Sequence, residues 1–568
     1  MKKCVAHLLE TMYMFKERKM FTKKTITKSA GLFLALSLLL PAFSSPGTMM
    51  PLSVEGESTS TEAIEIHPDT ELEYTDDELS PEERDALIMR HLELREQYAA
   101  LVDNHVDDPS GAVSEDDVEP IELGDPYEES EAYLKPSSSF IMASRKNTRF
   151  NSGVNYWPPE PAAINEGKLG FMMGNTHAEE SIDWGTSWTN VPLPGGPSDA
   201  PFLIGDPDVV NDPGRGLTIY SMLYVNSAVT NGVVRLYVRR RADRNTVCSY
   251  TIDPAGASNN TLPDYPHLGL SNNYLYLSTN NLGGAAGSRA QVYRLGLEAL
   301  GNCTSAGGSL YQYTWTYGQR VFVPVEGAQE TMYWGAMYDS NDFRVYKWPD
   351  NSSTASSWTR PVATATFANP DCRGGVGNYD FIEKSTAWSI AGFRMRGAVG
   401  KQGILFLTNV ANDASHPHAY EKAVLIRESD MMVIGQPTIW STSYCVGYPA
   451  LSANRRGDFG LATAYGGRNG GGGSAAQAAV SIDDEWTSGA GRFNSLYRTA
   501  YGTHNRSNGR FGDYFTVRPN QPVGLMFTAT GYALNGGTAV SNVNARYVQF
   551  GRGRDSNSLW RWRAPKDL

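Results

Sequence analysis

The sequence predicts an all-β protein, a six-bladed propeller preceded by a signal peptide and an acidic, largely disordered leader. Three observations lead there. The 568 residues are too many for one undivided core, which favours a repeat architecture. The 56 glycines, 11% aromatic and only 19% charged residues suit many short strands joined by tight turns rather than long surface helices. Finally, a strand-forming unit recurs along the last two thirds of the chain.

At the N-terminus, Lys23, Lys24 and Lys28 precede the apolar run Ala30 to Leu40, which Pro41 breaks before the small-residue sequence Ala42-Phe43-Ser44. This is the layout of a cleavable export signal over residues 1–44, with Met20 a natural start. The run is shorter than the ~20 residues a membrane span needs, so stable membrane insertion is not expected, an uncleaved anchor being the alternative.

The net charge of -12 is concentrated in residues 45–145. Between Pro51 and Lys135 there are 27 acidic and 4 basic residues, whereas from Pro136 onward there are 32 and 37. A segment so charged and so poor in apolar residues reads as a solvated spacer that the folded domain does without. Ser80-Pro81-Glu82-Glu83 supplies the start of one short helix reaching to about Leu101. The propeller is expected over 146–562.

Beyond Cys4, four cysteines remain: Cys248, Cys303, Cys372 and Cys445. An even count fits an oxidising compartment. Spacing alone leaves three connectivities open, of which Cys248 to Cys303 with Cys372 to Cys445 is the simplest for neighbouring blades. No cysteine pair has the spacing of a zinc site, and no metal or other cofactor is expected.

The repeat starts near Asp206, Tyr265, Arg320, Tyr379, Tyr448 and Asp513, at spacings that hold four strands of five to eight residues each. Tyr265-Pro-His-Leu-Gly-Leu followed by Tyr274-Leu-Tyr-Leu-Ser-Thr279 shows the pattern, and Tyr448-Pro-Ala-Leu-Ser-Ala followed by Phe459-Gly-Leu-Ala-Thr-Ala-Tyr465 repeats it. Six starts predict six blades. The last is expected to borrow a strand from Gly167–Met173, mixing the chain ends so that no sheet edge stays open. A β-sandwich array or β-helix is the rival architecture.

Ser181-Ile-Asp183-Trp-Gly185-Thr-Ser187-Trp188 resembles the Asp-box hairpin turn of sialidase-like propellers, with Ser187 in place of its Thr. Its Asp would accept backbone N–H bonds, its Gly take a conformation other residues avoid, and its Trp pack between sheets. Ser481-Ile-Asp483-Asp-Glu-Trp486 is a degenerate copy, placed by the six-blade count in the fifth blade. The resemblance is to the sialidase superfamily in fold, over about 400 residues. The Arg-Ile-Pro motif that carries the first carboxylate-binding arginine of true sialidases is not found, and the same box occurs in propellers that act on other sugars or only bind.

Residues at the starts of inner strands converge on the axis of a propeller. The candidates there are Asp513, Tyr514 and Arg510 with Asp206, Asp208 and His267 as catalytic groups, and Tyr265, Arg320, Tyr379, Asp380 and Tyr448 as ligand-binding groups. Paired carboxylates suit glycosidic hydrolysis, whereas His, Tyr and Arg suit a lyase acting on a uronic acid. Asp and Tyr before a strand also serve as turn-formers, and the repeated Tyr-Pro reads as architectural. His416 and His418 lack a third metal ligand, Gly466 to Gly473 lacks the Lys of a phosphate loop, and Arg239-Arg-Arg241 lacks the aromatics of a nucleic-acid site. The expectation is a secreted, monomeric, carbohydrate-active enzyme, hydrolase or lyase, acting on an extracellular glycan. A glycan- or protein-binding propeller at the cell surface is the alternative, and a structural secreted protein a third reading.

Overall fold

Each blade of a propeller has a neighbour on both faces, so its inner strands are buried at nearly every position rather than alternately. Leu217–Val225 and Cys445–Ala453 are buried throughout their length, and few charged residues interrupt them. The computed structural model describes residues 139–555 apart from 148–149, 151–157, 243, 255–260, 284–288, 315–320, 339–340, 364–370, 383–394, 488–492, 510 and 513. Upstream it describes 57–59, 62–69, 90, 93–94, 97 and 122–124. The export signal lies outside the described residues. None of the described helices is long and apolar enough to cross a membrane.

The regular structure of the described chain is mostly strand, with short helical pieces such as Leu297–Gly301 and Val540–Asn542. The strands form seven antiparallel blades, not six. Blade one is Ala162–Glu166, Leu169–Gly174, His177–Ser181 and Thr189–Val191; blade two runs from Phe202 to Ile252, and blade three from Thr261 to Thr314. Blade four comprises Thr331–Met337, Asp342–Pro349 and Ala355–Pro361, lined on the axial side by the extended stretch Val321–Val325, whose Val325 N–H bonds the carbonyl of Tyr333. Blade five runs from Arg396 to Ile439 and blade six from Cys445 to Ala500.

Two expectations fail here for one reason. Leu169–Gly174 pairs inside blade one, so the residues assigned to the end of a sixth blade form a seventh of their own. The ring closes instead through Phe140–Lys146, which runs antiparallel to Arg546–Arg552 as the outer strand of blade seven. Closure by joining the two chain ends does occur, with a different strand. The start at Tyr379 is also displaced: Tyr379–Asp380 pairs only with Arg373–Gly374, and the inner strand of blade five begins at Arg396.

The acidic segment is not free of sheet. Glu57–Thr59 pairs the outer strand of blade four, Glu62–Ile66 that of blade three, and Glu122–Gly124 that of blade six. Arg90, Glu93, Leu94 and Gln97 are helical, within the range 80–101 expected to be helix, while the expected start at Ser80-Pro81 lies outside the described residues.

Four inner strands share a local device. Glu160, Asp206, Tyr265 and Tyr448 each precede a proline and each adopt a positive φ, between 37° and 62°. In blades two, three and six the ladder shifts register at that point, a β-bulge. A non-glycine residue held there is strained by roughly 1–3 kcal/mol, sustained by its surroundings. Asn side chains help: Asn175 Oδ1 accepts from Asp206 N–H at 2.7 Å, and Asn409 Oδ1 from Tyr448 N–H at 2.9 Å. The repeated X-Pro is therefore architectural.

The turn from Ser181 to Trp188 joins the third and fourth strands of blade one. Asp183 accepts from Ser187 N–H at 2.8 Å, Thr186 N–H at 3.0 Å and Ser187 Oγ at 2.6 Å, and Ser181 Oγ accepts from Gly185 N–H at 2.8 Å. Gly185 has φ 81°, and a Cβ there would lie 2.7 Å from Tyr547 of blade seven. Ser481–Trp486 occupies the same position in blade six, not a fifth blade, with Asp483 accepting from Thr487 Oγ at 2.6 Å. Disulfides join Cys248 to Cys303 and Cys372 to Cys445.

Candidate functional site

Ionisable side chains from five blades meet on the axis. Asp208 comes from blade two, His267 from blade three, Glu326 from the end of the axial stretch of blade four, Arg396 from blade five and Arg518 from blade seven. The bulges put them there, since Asp208 and His267 each lie two residues past a positive-φ pre-proline residue.

Arg518 is the hub. Its guanidinium bonds Asp208 Oδ1 at 2.6 Å through Nη2, approaches Glu326 Oε1 at 2.9 Å through Nη1, and donates from Nε to the carbonyl of Val209 at 3.1 Å. Asp208 also accepts from Val209 N–H at 2.8 Å and Leu268 N–H at 2.9 Å. Burial alone would raise the Asp208 carboxyl, but Arg518, His267 and the Leu268 N–H outweigh it and hold the group at about 2. Glu326 has fewer donors. Burial pushes it up to about 7, with Arg518 opposing and the Asp208 charge adding to the rise.

One guanidinium thus grips two carboxyl groups whose protonation is driven in opposite directions. At neutral pH Asp208 is therefore ionised, while Glu326 is far easier to protonate than an ordinary carboxyl. Two carboxyl groups driven apart in this way meet one requirement of acid–base chemistry.

His267 is fully buried, and burial and the adjacent Arg396 hold its imidazole down at about 3, so it is neutral. Its Nδ1 lies 3.2 Å from Asp208 Oδ2 and 3.0 Å from Arg396 Nη1. One nitrogen cannot donate to a carboxylate and accept from a guanidinium at once, so the two contacts belong to different tautomers. Nε2 is buried without a hydrogen-bond partner. Arg396 also donates to Tyr265 Oη at 3.0 Å and lies over the rings of Tyr265 and Tyr514 at 5.3 and 5.4 Å.

Asp208, Glu326, Arg396 and Arg518, with backbone and apolar side chains such as Pro324 and Phe515, line a small cleft at the axis. It admits water rather than a sugar ring. Glu326 is the cluster's most accessible carboxyl, its side chain 14% exposed against 1% for Asp208.

Of the residues expected from the sequence, Asp208, His267, Tyr265 and Tyr514 do come together. The roles differ. Tyr514 donates its hydroxyl to the carbonyl of Pro207 at 2.8 Å and packs edge-on against Tyr265 and His267, bracing blade seven against blades two and three. Burial, and then the charges of Asp206, Glu160 and Asp208, raise its hydroxyl well above the usual range, so it is not a base at neutral pH. Asp206 is a buried bulge residue next to this cluster. Tyr448 gives its hydroxyl to the carbonyl of Phe381 at 2.7 Å, a packing role. Asp380 accepts from the N–H groups of Cys372 and Ile382, both at 2.8 Å, and so forms a turn, while Tyr379 is exposed. Arg320, Arg510 and Asp513 lie outside the described residues.

Glu326, Arg396 and Arg518 are absent from the sequence-derived set, which was built from the starts of strands. Arg518 was within reach, since counting by twos from Tyr514 places both on one face of the same extended segment. Glu326 and Arg396 carried no comparable signal, because nothing in the sequence says which charged residue beside an apolar strand turns to the axis. Among the described residues no cluster of His, Cys, Asp and Glu could hold a metal ion.

Solved structures similar in fold are propeller enzymes. An α-L-arabinanase from Penicillium chrysogenum, complexed with arabinobiose, aligns over 74% of this chain and 99% of its own at 11% identity, with a TM-score of 0.35. An α-L-arabinofuranosidase from Fusarium graminearum aligns over 73% and 98% at 10% identity and a TM-score of 0.33. A Trypanosoma rangeli sialidase aligns over 75% of this chain and 60% of its own at 8% identity and a TM-score of 0.35. This likeness concerns fold alone. No family model and no curated protein matches the chain.

Proposed function

We propose that the protein is a secreted glycoside hydrolase whose axial cluster cleaves an extracellular glycan, with Glu326 as the proton donor. The observation that carries this reading is the pair of carboxyl groups on Arg518, one held ionised and one raised to about 7. Glu326 protonates the departing glycosidic oxygen, the bond to the sugar breaks, and a water completes hydrolysis by adding to the sugar carbon and releasing a proton. Asp208, saturated with donors, is a positioning residue that fixes Arg518 and keeps negative charge near the forming oxocarbenium. The cleft holds the water, so the glycan lies across its mouth. Two disulfides accord with export, and residues 1–44 are proposed to be removed as the signal.

Two guanidiniums beside a neutral imidazole favour a second reading, a lyase that neutralises a uronate and removes the adjacent proton. Incubating the protein with a panel of plant, bacterial and animal glycans distinguishes the two. Hydrolysis releases reducing ends without ultraviolet absorbance, whereas elimination leaves an absorbing unsaturated sugar. Glu326→Gln should lose at least ~100-fold in rate with an unchanged melting temperature. No cleavage of any glycan, or full activity in the variant, overturns the proposal.

A further inference from the structure

The outer edges of blades three and two carry a second built feature, away from the axis. Residues Glu62–Ile66 pair antiparallel with Ala306–Leu310, the outer edge of blade three. Ile64 and Ile66 turn inward onto the apolar core shared by blades two and three, while Ala63, Glu65 and His67 face solvent. The chain then crosses to blade two, where Pro68 bridges Tyr250 and the Asp69 N–H donates to the carbonyl of Ser249 at 2.8 Å.

There the Asp69 carboxylate enters a ready set of donors. Arg235 reaches Oδ2 through Nη2 at 2.8 Å and Nε at 3.2 Å, Ser249 Oγ donates to the same oxygen, and Thr251 Oγ donates to Oδ1 at 3.0 Å. The Arg235 side chain is only 5% exposed and also donates to the carbonyl of Gly195. With Asp69 in place this cation, fixed on the sheet, is buried against the carboxylate and donates to it through two nitrogens, a specific pairing rather than a passing surface contact.

We propose that these two edges form a receptor groove for an extended acidic peptide, filled in cis by residues 62–69. Its recognition chemistry is a strand added to an open edge, two alternating β-branched side chains, and an Asp three residues after the second. Residues 62–69 of the acidic leader are thereby a docked part of the propeller, closing edges that would otherwise template pairing with other chains.

The test uses the full chain. In Ile64→Asp/Ile66→Asp the docked strand loses its apolar anchors while the groove is untouched. A labelled synthetic peptide of residues 60–71 should bind this variant at least tenfold more tightly than it binds the unmodified protein, whose groove is occupied. The same peptide carrying Asp69→Asn should bind the variant at least tenfold more weakly than its parent. If the double variant does not fold, Asp69→Ala in the full chain is read the same way. Equal peptide binding by variant and parent protein, no binding by either, or indifference to Asp69→Asn overturns the proposal.

Discussion

Arg518 shows how one side chain can hold two carboxyl groups and leave them with opposite tendencies to ionise. It satisfies Asp208 so fully that this carboxylate stays ionised throughout the physiological range, and it leaves Glu326 with a single charged contact. Asp208→Asn should therefore do more than remove a hydrogen bond. With its principal counter-ion gone, Arg518 is left buried with Glu326 as its remaining close carboxyl, and breaking a buried pair costs about 3–5 kcal/mol. Differential scanning calorimetry at pH 7 should show a clear drop in melting temperature. The sign with pH follows from Asp208 being depressed: its contribution is present above the ordinary carboxylate range and fades as pH falls toward about 2, so variant and parent should converge in strong acid. A variant as stable as the parent at pH 7 would show Arg518 to be satisfied without Asp208.

At the scale of elements, the turn of Ser181–Trp188 was legible because its chemistry is local. Asp, Gly and Trp at fixed spacing specify their own hydrogen bonds, and the structure supplies them. Asp183→Ala removes the acceptor for Thr186 and Ser187 and should cost about 1–2 kcal/mol by denaturant unfolding, with no change at the axis. A loss confined to activity would contradict a purely structural turn. The pre-proline residues were legible only in part. Asp206-Pro, Tyr265-Pro and Tyr448-Pro announce a repeat, yet nothing in a sequence reveals that their φ angles are positive, or that Glu160-Pro161 belongs to the same set. The strand at Glu62–Ile66 was missed for a different reason. Its alternation of Glu, Ala, Ile, Glu and Ile is a fair strand pattern, but it sits in a segment whose net charge argued for a spacer. Local pattern outweighed composition, because an edge strand needs only one apolar face.

For the whole molecule, all-β repetition could be read from the chain, and the disulfide pairing is the simplest of the three connectivities that spacing left open, whereas the number of blades could not be read. Blade one is built from strands of three to six residues without a Tyr-Pro start, so a count keyed to that signal passes over it. The axial site was only half visible for a related reason. Closure of a seven-membered ring brings residues 208 and 518 into contact, and only the folded topology specifies such a meeting. The central claim is that this meeting makes Glu326 an acid that works near neutrality, and the pH dependence of kcat/KM on a cleaved glycan tests it most directly. A donor acts in its protonated form, and burial places Glu326 at about 7. The unmodified protein should therefore show full rate in mild acid and a tenfold fall per pH unit above about 7, a limb that Glu326→Gln lacks because its rate is low at every pH. A rate that stays flat from pH 5 to pH 9, or a Glu326→Gln variant that keeps the descending limb, would contradict the account.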